Sequence, residues 1–251
     1  MSVALVVGAG AGIGGHVAAR FAREGCHAVL CRRSDEAGLQ RLVADIRADG
    51  DMASGHLLDV TDEGAIEALV DTVERDIGPI TTAVYNIGAQ IGNRPLADTP
   101  LRTFELGWRL GTFGLFRLAH ALFPRMVQRG GGTLIVTSAT AAVRGNAGQH
   151  SHAAAMGGRR MLCQTLNAEF APQGIHVAHV LIDGPVDAPD TLGRMLGDAF
   201  EPFKQAKGAD GLIDPAAVAE TYWQLAGQPR SAWTHEIDLR PWRDTPWWND
   251  T

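Results

Sequence analysis

Val3-Ala-Leu-Val-Val-Gly8-Ala-Gly10-Ala-Gly12-Ile-Gly14 is the stretch on which the fold turns. Five apolar residues with no turn former read as a strand covered on both faces. The glycines that follow allow a tight turn and let backbone approach a bound group closely. A helix opening straight afterwards points its N-terminal N–H groups, and the positive end of its dipole, at that group. Strand, glycine turn and helix together make a cradle for a pyrophosphate. Its residues are Gly8, Gly10, Ala11, Gly12, Ile13 and Gly14.

Outward from this cradle, short apolar segments alternate with amphipathic ones, the pattern of parallel βαβ units. Further strands are expected at His27–Cys31, Ala53–Leu58, Thr81–Tyr85, Thr133–Thr137, His176–Ile182 and Thr234–Leu239. Helices are expected at Gly12–Glu24, Asp35–Ala48 and Asp62–Asp76, then as two long ones near Leu101–Gln128 and Ser151–Ala171. Another opens at Asp214-Pro215, where Asp can cap and Pro can take the first turn. The expected fold is a single α/β domain over residues 1–251: a Rossmann-like, doubly wound parallel sheet of about seven strands, with helices on both faces. The Gly-punctuated segment around 189–211 is expected to be a mobile substrate lid.

The 251 residues carry a formal net charge of -6, which disfavours a nucleic-acid surface. No apolar run has membrane-spanning length. Three cysteines, Cys26, Cys31 and Cys163, have no paired metal spacing and suit a reducing compartment, so no metal is expected. With a strand beginning at once and no leader, the expectation is a cytoplasmic protein without membrane or nucleic-acid partners.

The spacing Gly8-x-x-x-Gly12-x-Gly14 resembles that of the short-chain dehydrogenase/reductase superfamily, and other segments fall in that family's order. Asp59-Val60 stands where an adenine-contacting pair follows the third strand. Asn86-Ile87-Gly88-Ala89 matches the turn after the fourth. The resemblance implies that Asp59, Val60, Asn86, Ile87 and Gly88 contact a dinucleotide, as do Gly184 and Val186 in the altered Pro-Gly turn Asp183-Gly184-Pro-Val-Asp-Ala188. The second strand ends in Cys31-Arg32-Arg33 with no acid at its tip. Carboxylates there serve a ribose 2′-hydroxyl, whereas guanidiniums match a 2′-phosphate. Arg32 and Arg33 therefore favour NADP(H), with two solvated arginines as the plainer alternative. Asp35 is expected to cap the next helix, although it could compete for an arginine.

The resemblance also implies an Asn-Ser-Tyr-Lys tetrad. Its positions fall on Gly111, Ala139, His152 and Met156, the Ser-to-Tyr interval being kept at the 13 residues from Ala139 to His152. Ser138 lies one residue early and should point to the opposite side of the strand. Hydride addition to a ketone makes an alkoxide that needs a proton. His152 could donate it, since imidazole titrates near pH ~6.5; packing in an aromatic position is an equal alternative. An iminium acceptor needs no acid, and Asp183, in the crevice after the sixth strand, could stabilise one; it could equally be a turn residue bonded to its own backbone. Asp187 is a weaker candidate, and His150 is expected on the loop surface.

These residues lead to an expected NADPH-dependent reductase with a non-standard site, imine reductase-like, acting on an imine, an iminium or an activated carbonyl. Its substrate would be a small apolar or cyclic molecule. The alternatives are a non-catalytic NADP-binding sensor or partner protein, and a redox-neutral cyclase or lyase. The family implies a homodimer or homotetramer through the two long helices. Trp108 resembles a family core position, and the tail with Trp242, Trp247 and Trp248 could cover a neighbouring subunit's pocket.

Overall fold

The computed structural model describes residues 1–88 and 92–249. Seven strands, β1 (Val3–Val7), β2 (His27–Arg32), β3 (Ala53–Leu57), β4 (Ile80–Tyr85), β5 (Gly132–Ala139), β6 (Ile175–Ile182) and β7 (Glu236–Leu239), form one sheet. Their order is β3-β2-β1-β4-β5-β6-β7, and every pairing is parallel. Alternation divides the sheet between two cores. Val3, Leu5 and Val7 face α3 (Ala65–Asp76), α5 (Gly114–Gln128) and α6 (His150–Phe170). Ala4 and Val6 face α1 (Ile13–Arg23), α2 (Glu36–Ala48) and α9 (Pro215–Ala226). The chain reverses winding between β1 and β4, and such sheets bind ligands in the crevice beyond the strands' carboxyl ends at this point.

The first long helix is continuous from α4 (Leu101–Trp108) into α5, but a π-turn spans Arg109–Phe113. A π-turn redirects carbonyls that an α-helix would use internally, and such bulges occur at functional sites. A helix start and a side-chain placement also differ from expectation. The helix after β3 begins at Ala65 rather than Asp62, because Thr61 donates from both backbone N–H and hydroxyl to Asp59 Oδ1 at 2.9 and 2.7 Å. Trp108 is 43% exposed on the α4 surface rather than packed in the core. The segment after β6 contains a π-turn at Pro189–Gly193, the short helix α7 (Arg194–Leu196), and α8 (Phe200–Lys207).

The carboxyl ends of β1, β2 and β4 are tied directly. Gly8 and Ala9 donate backbone N–H bonds to Cys31 O at 2.9 and 2.8 Å, and Asn86 N donates to Val7 O at 2.8 Å. Asn86 Nδ2 donates to Gly8 O at 2.9 Å. Gly8 adopts φ 99°, and a Cβ there would lie 2.6 Å from Asn86 O. Only glycine meets both requirements. Gly8→Ala should therefore destabilise the protein by about 2–4 kcal/mol, from left-handed strain plus collision. For this size the melting temperature should fall by roughly 5–15 °C. Thermal unfolding by circular dichroism checks this, and an unchanged midpoint would show that the junction is looser than its geometry.

Candidate active site

Two cavities meet at the turn after β4. The first, about 510 Å³, is lined by Gly8, Ala9, Gly10, Arg32, Arg33, Leu58, Asp59, Val60, Asn86, Ile87, Gly88, Leu106 and Leu110. The second, about 330 Å³, shares Asn86, Ile87 and Gly88 with it and continues past Ile13, Ser138, Ala139, His152, Met156 and Arg159 to Gly184, Val186 and Thr191. The expected cofactor residues are thus distributed along one crevice. Gly14 stands behind it: any Cβ would run into Gly8 O, so the helix can pack against the turn only through glycine. Ala11 and Gly12 form the turn leading into α1; Ala89 lies outside the described residues.

The crevice fits a dinucleotide by the chemistry of its walls. A Cβ on Gly10 would meet nothing within 4 Å, so the loop leaves open space at its centre. Asp59 spends Oδ1 on its own turn, while Arg117 from α5 holds the same turn by donating to Val60 O at 3.2 Å and Asp62 O at 2.8 Å. Arg32 comes from the end of β2 and Arg33 follows it, half-buried and exposed respectively. Asp35 caps α2, accepting from Gly38 N at 3.0 Å, and also pairs with Arg32 at 3.1 Å. That backbone bond, with the nearby arginines adding to it, holds the Asp35 carboxyl below its usual pKa.

Around the second cavity, β5 and α6 place the residues at the tetrad positions together. Ala139 ends β5; His152 and Met156 lie one turn apart in the first half of α6. Ser151 fastens that helix end to α4, its Oγ donating to Thr103 O at 3.3 Å and Phe104 O at 3.2 Å. His150 is the first residue of α6 and half-buried, not a surface loop residue. Thr137 and Ser138 of β5 point to opposite sides of the sheet. Thr137 shares a hydrogen bond with Tyr222 of α9 at 2.7 Å, whereas Ser138 faces α6, with Oγ 3.8 Å from Met156 Sδ. Ala139 packs against Met156 and Ala155 as well, so both residues line the cavity and the Ser138 hydroxyl belongs to its wall.

No described residue lining this cavity is a tyrosine or lysine. The chain's two tyrosines, Tyr85 and Tyr222, are fully buried, one hydroxyl donating to Leu110 O and the other engaged with Thr137. Burial pushes both phenols above their usual pKa. The lysines, Lys204 and Lys207, pair with Asp187 and Asp244. The cation here is Arg159, three positions beyond Met156 and seven beyond His152, on the same helix face. It is only 1% exposed. Its Nε donates to Gly111 O at 2.7 Å, Nη2 to Ile87 O at 2.8 Å and Nη1 to Thr137 O. Its guanidinium carbon also stands 5.2 Å from the Tyr85 ring centroid. One side chain thus clamps the π-turn, the β5 end and the β4 turn. Among the described residues it has carbonyl partners and no ion pair. Burial lowers its pKa, but a guanidinium stays protonated. The cavity therefore has an unneutralised positive floor.

Asp183 is placed elsewhere. Its Oδ2 accepts from Trp247 N at 3.1 Å, with Arg240 at 4.0 Å, and it is not among the residues lining the His152 cavity. Asp187 is paired with Lys204. Trp247 also donates from its indole to Asp238 at 3.1 Å, so this part of the tail fastens to its own subunit's strand ends.

Comparison with known proteins identifies the family. The short chain dehydrogenase family model matches residues 2–191. The 1-deoxy-11-beta-hydroxypentalenate dehydrogenase of Streptomyces exfoliatus is 30% identical over 230 residues, 90% of this chain and 80% of its own. The short-chain reductase NovJ of Streptomyces niveus is 34% identical over 198 residues, covering 78% of this chain and 74% of its own. A short-chain dehydrogenase from Rhodopseudomonas palustris superposes with TM-score 0.80 at 33% identity, over 96% of this chain and 99% of its own. A variant of actinorhodin polyketide ketoreductase, solved with NADPH, gives 0.84 at 27% identity, over 96% of each chain. The chain belongs to the short-chain dehydrogenase family and is an oxidoreductase of that type.

Replacing Arg32 and Arg33 together with alanine should weaken NADPH binding by ~10-fold or more, since charge-assisted bonds contribute about 1.5–3 kcal/mol each. NADH affinity should change less than about threefold. Isothermal titration with both cofactors measures the difference, and an equal loss for each would remove these arginines from the 2′-phosphate site.

Proposed function

We propose that this member of the short-chain dehydrogenase family is an NADP(H)-dependent reductase of a small, apolar or cyclic carbonyl compound, working through a substituted site. Bound NADPH supplies a hydride. The glycine cradle holds the pyrophosphate, Asp59 and Val60 flank the adenine, and Arg32 and Arg33 take the 2′-phosphate. Asn86, Ile87, Gly88, Gly184 and Val186 wall the path towards His152. We take the segment around 189–211 as the substrate lid, with Thr191 at the cavity's edge.

The observation that carries this reading is the buried, unneutralised guanidinium of Arg159. Hydride addition to a carbonyl turns a neutral acceptor into an oxyanion, which a fixed positive charge stabilises without reorganisation. An iminium arrives already positive. Across roughly 4–8 Å at an effective dielectric of ~20, one unit charge is worth about 2–4 kcal/mol, favouring the oxyanion and opposing the iminium. The site thus supports the activated carbonyl over the imine or iminium, and Asp183, outside this cavity's lining and paired with Arg240, is not placed to give the latter a counter-charge. His152 is the proton donor in this account, at the tyrosine's place beside Ser138 and Ala139.

The three buried thiols suit a reducing, cytoplasmic setting, and among the described residues no helix is long and apolar enough to cross a membrane. The exposed Phe104, Trp108 and Phe116 along α4 and α5 support a homodimer or homotetramer.

NADPH oxidation with product identification, against a cyclic ketone and the imine of the same skeleton, tests the reading. Ketone reduction should exceed imine reduction and fall as pH rises through the imidazole range. His152→Ala should lower ketone kcat by ~10²–10⁴-fold. Turnover of the imine alone would overturn the carbonyl assignment. Tight NADPH binding without turnover of either would replace it with the non-catalytic or redox-neutral alternatives.

A further inference from the structure

Arg32, at the end of β2, stands between two carboxylates. Arg32 Nη2 lies 3.1 Å from Asp35 Oδ2 and 3.8 Å from Asp190 Oδ2. Asp35 comes from the cap of α2, next door in sequence. Asp190 comes from across the crevice, in the π-turn Pro189–Gly193 that follows β6. The same turn is anchored over the cradle. A Cβ on Gly12 would touch Ala188 Cβ at 3.0 Å, and Thr191 lines the cavity beside Ile13. Arg194, one helical turn on, pairs with Asp190 at 3.9 Å and adds to the positive field at Asp35, as does Arg41. A carboxylate from the lid segment therefore shares the guanidinium that is expected to receive a dianionic phosphate.

We infer that Asp190 is a specificity-determining latch, holding Arg32 through the lid segment until a cofactor 2′-phosphate takes its place. The inference rests on the reading that this cleft takes NADP(H). A phosphomonoester brings about -1.5 to -2 charges and three acceptor oxygens, against one charge on a carboxylate. It outcompetes Asp190 for Arg32 and recruits Arg33 and Arg194 as well. NAD(H) has a hydroxyl at that position and leaves the Arg32–Asp190 pair intact. Cofactor phosphorylation is thereby reported to the segment that covers the site: the 2′-phosphate releases the start of the lid from β2, and the unphosphorylated cofactor leaves it fastened. The latch also costs NADP(H) part of its affinity, because the carboxylate must be displaced.

Isothermal titration of NADP⁺ and NAD⁺ into the wild type, Asp190→Asn and Asp198→Asn tests this without any substrate. Asp198 is an exposed acid of the same segment with no ion pair among the described residues, so its variant makes the same change in net charge. Removal of an exposed pair partner typically shifts an equilibrium by a factor of about 2–5. Asp190→Asn should tighten NADP⁺ by that factor, leave NAD⁺ unchanged, and lose most of its advantage at ~1 M salt. Asp198→Asn should change neither. Hydrogen exchange across 189–196 should rise on adding NADP⁺ to the wild type, and less in Asp190→Asn, whose segment is already released. Equal shifts for both cofactors, or the same gain from Asp198→Asn, would overturn the latch while leaving the NADP(H) reading standing. Failure of NADP⁺ to bind the wild type and Asp190→Asn alike would overturn both.

Discussion

The approach of Gly8 to Asn86 is the constraint from which the site follows. The ends of β1 and β4 are adjacent in the sheet, yet their connections leave in opposite senses, which opens the crevice. Asn86 closes its base by donating to Val7 and Gly8, and the absence of a Cβ on Gly8 lets the two turns touch. Both walls of the crevice start from this junction. The cradle runs from one side of it, the β4 turn from the other, and Arg159 reaches the second side by holding Ile87 O.

Arg159 is the next constraint inward. A lone buried cation is costly, and removing its partners would strand a charge in a medium that solvates it poorly. Here the partners are three carbonyls from three different segments, so the same contacts that pay for burial also fix the walls of the cavity. The π-turn belongs to this arrangement. It presents Gly111 O to Arg159, while the neighbouring Thr112 hydroxyl donates to Ala155 O at 2.8 Å, coupling the first long helix to α6. The result is a buried positive charge beside His152 and Ser138, in a cavity whose described lining residues include no tyrosine or lysine.

Much of the fold was legible because period and punctuation agree. The apolar run at Val3–Val7, the glycines after it, and the Asp214-Pro215 helix start each state their structure locally, and Asp214 does accept from Ala216 N. The glycine turn between β1 and α1 was legible for the same reason. What was not legible depends on contacts distant in sequence. Asp183 follows β6 as expected, but it is absent from the lining of the His152 cavity, and its Oδ2 accepts from Trp247 N, 64 residues away. Trp108 could not be told from a core residue without knowing which side of α4 faces the sheet. Arg159 was readable in part, since 152, 156 and 159 share a helix face; its partners at 87, 111 and 137 were not. Ser138 was expected on the opposite side from Ala139, but at the end of β5 both residues lie against Met156 of α6.

The most direct test of the central claim moves the charge rather than removing it. Ketone and imine kcat/KM should be measured for Arg159→Met and for the double variant Met156→Lys, Arg159→Met, with NADPH affinity and thermal unfolding followed in parallel. If Arg159 supplies the positive charge absent at Met156, the single variant loses its preference for the ketone by ~10-fold or more, and the double variant recovers most of it. If the double variant remains as impaired as the single one while still folded and binding NADPH, charge at this place is not what the site uses, and the account is wrong.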